Sequence, residues 1–500
     1  MTSTSWGAAT RRGILWSTAS FLGGRALTFV AIVVLARVLT PSEFGVVAAV
    51  TIFLSLLDVI SDIGMKATVV YEQEHGISSR VQTAFTVNLI FAAILTAGGV
   101  LLAPLIAQFF SLAHHTDLFR LGSLNLLLTG LGNMHDALLL RELDFRRRII
   151  PDLARGAVRG IVSIVLALRG LGAESLIIGM LAGSAAWTVV QWSLTPLRPT
   201  LSFDAGIARS MAGYGSGAAV LAMVASVAGT VQLAVIGKAL GEQALGLFTV
   251  ARRVPELVIE TVAFNVSRVS FPALARKRAI DEQGLGRSTL MILRYQALYA
   301  GPAAAGLAIL ASPLVVVLFS PKWQDAAGVL SAVAVLSGVG SIAFPLGDVL
   351  KAIGKQSVLI ALNLIQMPVV AVGIVLLAPA GVVAVAWLVA AGGIAFATAL
   401  TIIACRQLSI GPRDATAAGR PGVVAAAGVT LGAGAARLVW PDPSLGPLVA
   451  GILAGTACGL MFLRAFAPGV ISEVAGSLRP PRVPRRSPRV PGPQPDRPRG

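Results

Sequence analysis

The sequence predicts an all-α polytopic membrane protein with about fourteen transmembrane helices: two six-helix lobes plus two C-terminal helices. Three observations lead there. Hydrophobic residues make up 55% and charged residues 13% of the 500-residue chain, with a mean hydropathy of +0.81, whereas ordinary soluble domains carry roughly 25% charged residues. Apolar runs of about 20 residues, long enough to cross ~30 Å of hydrocarbon as helix, recur from residue 14 to residue 466. Lysine and arginine collect in every second connection, as cytoplasmic loops do. Soluble enzymes, disulfide-stapled scaffolds and disordered regulators are excluded, and long continuous runs exclude an outer-membrane barrel.

Residues 1–13 form a cytoplasmic N-terminus, in which Arg11-Arg12 precedes an apolar run too long for a removable signal core. The N-lobe, 14–195, holds candidate spans at 14–36, 45–65, 84–108, 118–140, 151–169 and 174–195. A linker at 196–210 contains the helix breakers Pro196, Pro199 and Ser202. The C-lobe, 211–404, holds spans at 211–237, 244–265, 289–318, 326–350, 357–379 and 381–404. Residues 405–466 add spans at 420–438 and 444–466, and the Pro/Arg-rich tail 467–500 reads as disordered and cytoplasmic. With both termini inside, the outer connections hold only Arg37, Arg169, Lys238, Lys322 and Arg437. The inner ones carry clusters such as Arg146-Arg147-Arg148 and Arg276-Lys277-Arg278. The net charge of +17 therefore points to lipid headgroups and not to nucleic acid.

The two lobes read as a duplication. Residues 35–51 align without gaps on residues 236–252, so that Arg37 meets Lys238, Leu39 meets Leu240 and Gly45 meets Gly246. A second echo pairs Arg141 with Lys351 and Gly172 with Gly381. An even number of spans per copy gives parallel repeats, the plan of transporters whose substrate path lies between two rocking lobes.

Ionisable groups inside spans are costly and mark cavities or partners. Arg25 lies ~15 Å deep in span one, where it either lines a cavity or pairs with Asp58 or Asp62 of span two. Asp58 and Asp62, four residues apart, either partner Arg25 or couple transport to protons or sodium ions. Span eight carries Arg252, Arg253, Glu256 and Glu260. Arg252, Glu256 and Glu260 share one α-helical face and can pair locally, and Pro255 among them can kink the helix. Arg155 and Arg159 share a face of span five and Arg294 opens span nine, near enough to the cytoplasmic edge to snorkel. Asp348 ends span ten at the interface. His114, His115 and His135 lack a third ligand at metal spacing, and no HExxH, P-loop or GxSxG motif occurs. The chain is read as no enzyme, with no catalytic residue, metal or cofactor.

At this point the sequence resembles a family. Ala36-Arg37-Val38-Leu39-Thr40-Pro41-Ser42-Glu43-Phe44-Gly45, then Asp58 and Asp62-Ile63-Gly64, look like the opening of bacterial polysaccharide transporters. Arg141-Glu142-Leu143-Asp144-Phe145-Arg146-Arg147, Tyr214-Gly215, Gly246-Leu247-Phe248 with Arg252, and Phe271-Pro272-Ala273-Leu274 continue the likeness over roughly residues 10–410. These are the O-antigen and exopolysaccharide flippases of the multidrug/oligosaccharidyl-lipid/polysaccharide superfamily. The resemblance implies an inner-membrane transporter that moves an undecaprenyl-pyrophosphate-linked oligosaccharide to the outer leaflet by alternating access, through a cationic cavity. Membrane lipids, a polysaccharide polymerase and export machinery are the implied partners. A lipid II flippase or a small-molecule exporter of the same superfamily is the alternative. On this reading Arg25 and Arg252 bind the pyrophosphate, and Glu256 and Glu260 hold Arg252 when the site is empty. Aromatic residues amount to only 6%, so sugar recognition has no assigned residues.

Overall fold

The computed structural model describes residues 24, 27–61, 77–141, 145–195, 200–206, 217–280 and 282–469. The chain is all-helical among them. Arg25 and Asp62 lie outside the described residues, as do residues 1–23 and most of the Pro/Arg tail.

The first half contains α1 (Leu27–Val38), α2 (Pro41–Ser61), α3 (Ile77–Phe109), α4 (Thr116–Arg141), α5 (Phe145–Leu168) and α6 (Ala173–Leu194). The second half begins with α7 (Gly217–Pro255), a five-residue π-helix (Glu256–Glu260) and α8 (Thr261–Ile280). It continues through α9 (Glu282–Ile309), α10 (Ala311–Phe319), α11 (Ala326–Ala352), α12 (Gln356–Leu377) and α13 (Val382–Gln407). Helices α14 (Pro412–Val439) and α15 (Leu445–Phe466) close the chain. They cross closely because Gly428 and Gly432 lie against the Cys458 and Ala454 backbones, the small-residue contact typical of membrane helices.

Nine described helices are long and apolar enough to cross a membrane, ten if the bent pair α9–α10 is one span. This is a multi-pass membrane protein. The difference from fourteen has physical causes. Only part of the first span is described, and α4 and α5 are long enough but too polar to pass on composition. Residues 226–268 count as one 43-residue stretch although they hold two helices, as expected. That stretch is bent at Gly241, whose φ of 82° is open to glycine at little cost. The expected continuous span 289–318 is also broken. Its two helices meet at 74°, because Pro313 in the first turn of α10 has no amide to donate to Ile309.

The start of α2 explains the Thr-Pro-Ser-Glu motif. Thr40 caps the helix and Pro41 occupies its first turn. Glu43 accepts hydrogen bonds from the Thr40 amide at 2.7 Å and hydroxyl at 2.8 Å, a reciprocal capping box. The helix so started packs along α7, the extensive contact between the two halves among the described helices. Around it, Arg37 donates to the carbonyls of Val317 (2.7 Å) and Leu318 (3.1 Å), satisfying the otherwise orphaned C-terminus of α10. Lys322 and Trp323 return bonds to the carbonyls of Arg37 and Ala36 at 2.9 and 2.7 Å, and Trp323 packs edge-on against Phe44 at 5.3 Å. The aligned residue Lys238 sits 5.4 Å over the Phe109 ring at the end of α3. This end of the molecule is sealed.

Candidate functional site

Away from the sealed end, α1, α2 and α5 stand opposite α7 and the π-helix around a cavity of about 690 Å³. From the first half, α5 lines it with Asp152, Arg155, Arg159 and Ser163, spaced as one helical stripe. Gly179 and Gly183 of α6 lie directly against Ser163 and Arg159, so α5 sits close on α6. That proximity lets Arg155 donate to Ser184 at 3.0 Å and lie 5.2 Å over the Trp187 ring. The Trp187 indole in turn donates to Asp152 at 3.3 Å. Asp152, Asp58 and Asp136 lie within electrostatic reach of Arg155, whereas Arg159 feels the like charges of Arg253 and Arg155.

From the second half come Arg252, Arg253, Glu256 and Glu260. Pro255 removes one amide from the helical ladder, and the π-helix starts at the next residue. The Thr261 amide and hydroxyl both reach the Glu256 carbonyl, the hydroxyl at 2.8 Å, and the Tyr299 hydroxyl donates to the Val258 carbonyl. The extra residue in the turn shifts Glu256 and Glu260 relative to one another. Arg253 pairs with Glu256 at 3.0 Å, Arg252 faces Glu260 at 4.0 Å, and Ser337 of α11 donates to Glu260 at 2.7 Å.

Of the residues singled out in the sequence, the cavity thus gathers Arg155, Arg159, Arg252, Arg253, Glu256 and Glu260. Asp58 lies beside it on α2. Arg294 lines neither this cavity nor its side pocket; it lies twelve residues into α9 and does not open the helix as expected. Asp348, near the end of α11, is buried, takes a hydrogen bond from Ser267 and pairs with Lys351 at 3.2 Å. Three features escaped the sequence reading. Asp152 shares the Arg155–Arg159 stripe, which its spacing could have revealed. The Trp187–Ser184 support comes from a different helix and has no local signal. Asp136 forms a two-point ion pair with Arg148 at 2.8 and 3.3 Å, joining α4 to α5.

What this arrangement offers is four guanidinium groups converging from both halves, three of them already held by acids or a hydroxyl. Guanidinium remains charged in poorly hydrated surroundings and presents planar, forked donors that fit phosphate. The cavity is chemically suited to an anion that must be released again.

Known proteins with similar sequences and folds bear on this chemistry. The succinoglycan biosynthesis transport protein ExoT of Rhizobium meliloti is 25% identical over 348 residues, covering 70% of each chain. The lipopolysaccharide biosynthesis protein WzxC of Escherichia coli is 23% identical over 369 residues, 72% of this chain and 74% of that one. The lipid II flippase MurJ in an inward closed conformation superposes with a TM-score of 0.74 at 15% identity, over 91% of this chain and 100% of its own. The model of the family described as polysaccharide biosynthesis protein matches residues 34–328. That match spans more than half of the chain, which therefore belongs to the polysaccharide biosynthesis protein family.

Proposed function

We propose that the protein flips a polyprenyl-pyrophosphate-linked oligosaccharide from the cytoplasmic to the outer leaflet of the bacterial plasma membrane, working as a transporter and not as an enzyme. The observation that carries this reading is the convergence of Arg155 and Arg159 with Arg252 and Arg253 in one cavity between the two halves. Names of the relatives supply the pathway, since ExoT is a transport protein and WzxC acts in polysaccharide biosynthesis.

On this reading residues 14–195 and 211–404 are two lobes related by a pseudo-two-fold axis along the membrane normal, with residues 405–466 outside them. Reciprocal contacts at the aligned residues of the sealed end support that relation. The positive-charge pattern puts the sealed end outside and both termini inside, so the structure represents an inward-facing state. Pyrophosphate enters between the lobes, displaces Glu256 and Glu260 from their arginines, and bridges them to Arg159. The lobes then rock to open the sealed end. Arg25, three residues before the cavity-lining Thr28 in the sequence, joins this set. Protons taken up by Glu256 or Glu260, or ions met by Asp58 and Asp62, couple the cycle, and a polymerase receives the product.

Flipping of a pyrophosphate-linked lipid in proteoliposomes tests the proposal. Arg25→Ala, Arg159→Ala and Arg252→Ala should each lower the rate about ten- to hundredfold, the loss expected for a charge-assisted contact of roughly 1.5–3 kcal/mol. Unchanged rates in all three would show that these arginines are structural.

A further inference from the structure

The scarcity of aromatic residues leaves open where the sugars go. A side cavity of about 410 Å³ answers this. It runs into the C-lobe between α7, the π-helix, α8, α11 and α13, and it shares Leu233, Arg252, Glu256 and Glu260 with the main cavity, so the two adjoin. Its volume falls in the roughly 300–1,000 Å³ range of small-molecule sites.

The lining is unlike that of the main cavity. Phe248, Phe264, Phe344 and Phe396, four of the protein's nineteen phenylalanines, gather here. Phe264 and Phe344 are 46% and 40% exposed, and Lys351 lies 6.0 Å over the Phe344 ring, a cation on one of its two faces. Ser337, Ser341 and Phe344 form one stripe of α11, and a Cβ placed on Gly340 beside them would meet nothing within 4 Å. Ser337 fixes Glu260 at 2.7 Å, so that a carboxylate stands at the mouth. Gln232 adds an amide.

This combination selects for a ring with apolar faces and hydroxylated edges. The electron-rich face of phenylalanine attracts polarised C–H groups, while Glu260, Ser341 and Gln232 can bond hydroxyls. A hydrocarbon chain threading the mouth would strip water from Arg252, Glu256 and Glu260 without replacing its hydrogen bonds. A cation would meet Arg252 and Arg253 in the same opening. A neutral sugar avoids both costs.

We propose that the side cavity is a sugar subsite, which takes the one or two pyranose rings next to the pyrophosphate and stacks a ring face on Phe344 or Phe264. The assignment rests on the reading that Arg252 and Arg253 hold the pyrophosphate, because that places the first sugar at the mouth.

The test measures binding of three probes to the purified full chain: undecaprenyl pyrophosphate, the same lipid carrying one hexose, and a hydrophobic quaternary ammonium dye. The hexosyl lipid should bind more tightly than the bare pyrophosphate by about 2- to 12-fold, the gain from one aromatic face. Phe344→Leu, combined with Phe264→Leu, should erase that advantage while leaving the bare lipid unchanged, which also shows that the variant folds. The corresponding tyrosine substitutions should retain it. Equal weakening of both lipids, or an undiminished hexose advantage, would overturn the subsite, as would dye binding that displaces the hexosyl lipid and is lost in the leucine variant. Arg253→Ala should weaken both lipids equally. If it affects neither, the pyrophosphate reading fails, and the hexose advantage still decides the subsite separately.

Discussion

Gly45 and Gly246, aligned residues of the two sequence repeats, each press on the other's helix start. A Cβ on Gly45 would lie 1.8 Å from the carbonyl oxygen of Glu242, and one on Gly246 would lie 1.9 Å from that of Pro41. Pro41 and Glu242 are themselves aligned at the offset that matches the glycines. Both obstacles are backbone atoms, which cannot rotate away, so even alanine would force α2 and α7 apart. Overpacking of this kind costs about 1–3 kcal/mol, enough to shift a conformational equilibrium about 5–150-fold. Gly45→Ala and Gly246→Ala should therefore disfavour the sealed state. With Cys405 and Cys458 replaced by serine and a reporter at Ser226→Cys in the cavity, an impermeant thiol reagent applied from the Arg37 side should label both variants faster than the parent. Equal labelling would mean that another contact holds this end shut.

The sealed end also carries a titrating group. His115 lies in the connection between α3 and α4, and burial, followed by the neighbouring charge of His114, pushes its pKa below the ordinary value; Glu242 and Glu174 oppose this more weakly. A state that separates the lobes restores the ordinary value of about 6.5 and so binds the proton more readily. The stabilisation that neutral His115 permits is complete above that pH and declines as pH falls below it. Spin labels at Ser42 and Gln243 should show the distance distribution broadening between pH 8 and pH 5.5. His115→Gln should flatten that response, and a parent chain indifferent to pH would remove His115 from the gate.

Much of the fold was legible because its causes are local. Apolar length gave the helices, and the repeat offset singled out Gly45 and Gly246 before their contact was visible. The candidate site was legible only in part. Arg155, Arg159, Arg252, Arg253, Glu256 and Glu260 announce themselves as charges in apolar runs. Arg253 meets Glu256 at an ordinary three-residue spacing, and Arg252 faces Glu260 as their shared face suggested, but the π-turn after Pro255 that sets this geometry has no spacing signal. Support from Trp187 and Ser184, and the phenylalanine cluster around Phe344, depend on helices distant in sequence meeting in space. No periodicity encodes that.

The acids of the π-helix should tune release more than capture. Their side chains are partly exposed, so each ion pair contributes at most about 1 kcal/mol. Removing one frees an arginine for the ligand. Glu256→Gln and Glu260→Gln should thus tighten binding of the pyrophosphate-linked lipid by up to about fivefold and slow its flipping. Binding and turnover must be measured on the same preparations. Weaker binding of the sugar-free pyrophosphate lipid in both variants would show that the acids do not compete with the pyrophosphate.

The π-helix itself is the last object of prediction. Pro255 withholds the amide that Ala251 would accept, and the Tyr299 hydroxyl satisfies the Val258 carbonyl inside the widened turn. Pro255→Ala restores the amide and favours an ordinary α-turn, which would bring Arg252, Glu256 and Glu260 onto one face and draw Glu260 away from Ser337. Helix propensity predicts that this variant melts at the same or a higher temperature than the parent, since alanine is favoured over proline inside a helix. Flipping should nevertheless fall, because Glu260 no longer stands at the mouth of the side cavity. Tyr299→Phe should lose roughly 0.5–1.5 kcal/mol of stability through the unsatisfied carbonyl, with a smaller loss of flipping. Melting and flipping thus move in opposite directions in one variant and together in the other. Should Pro255→Ala flip lipid at the parental rate, the π-geometry would have no part in transport.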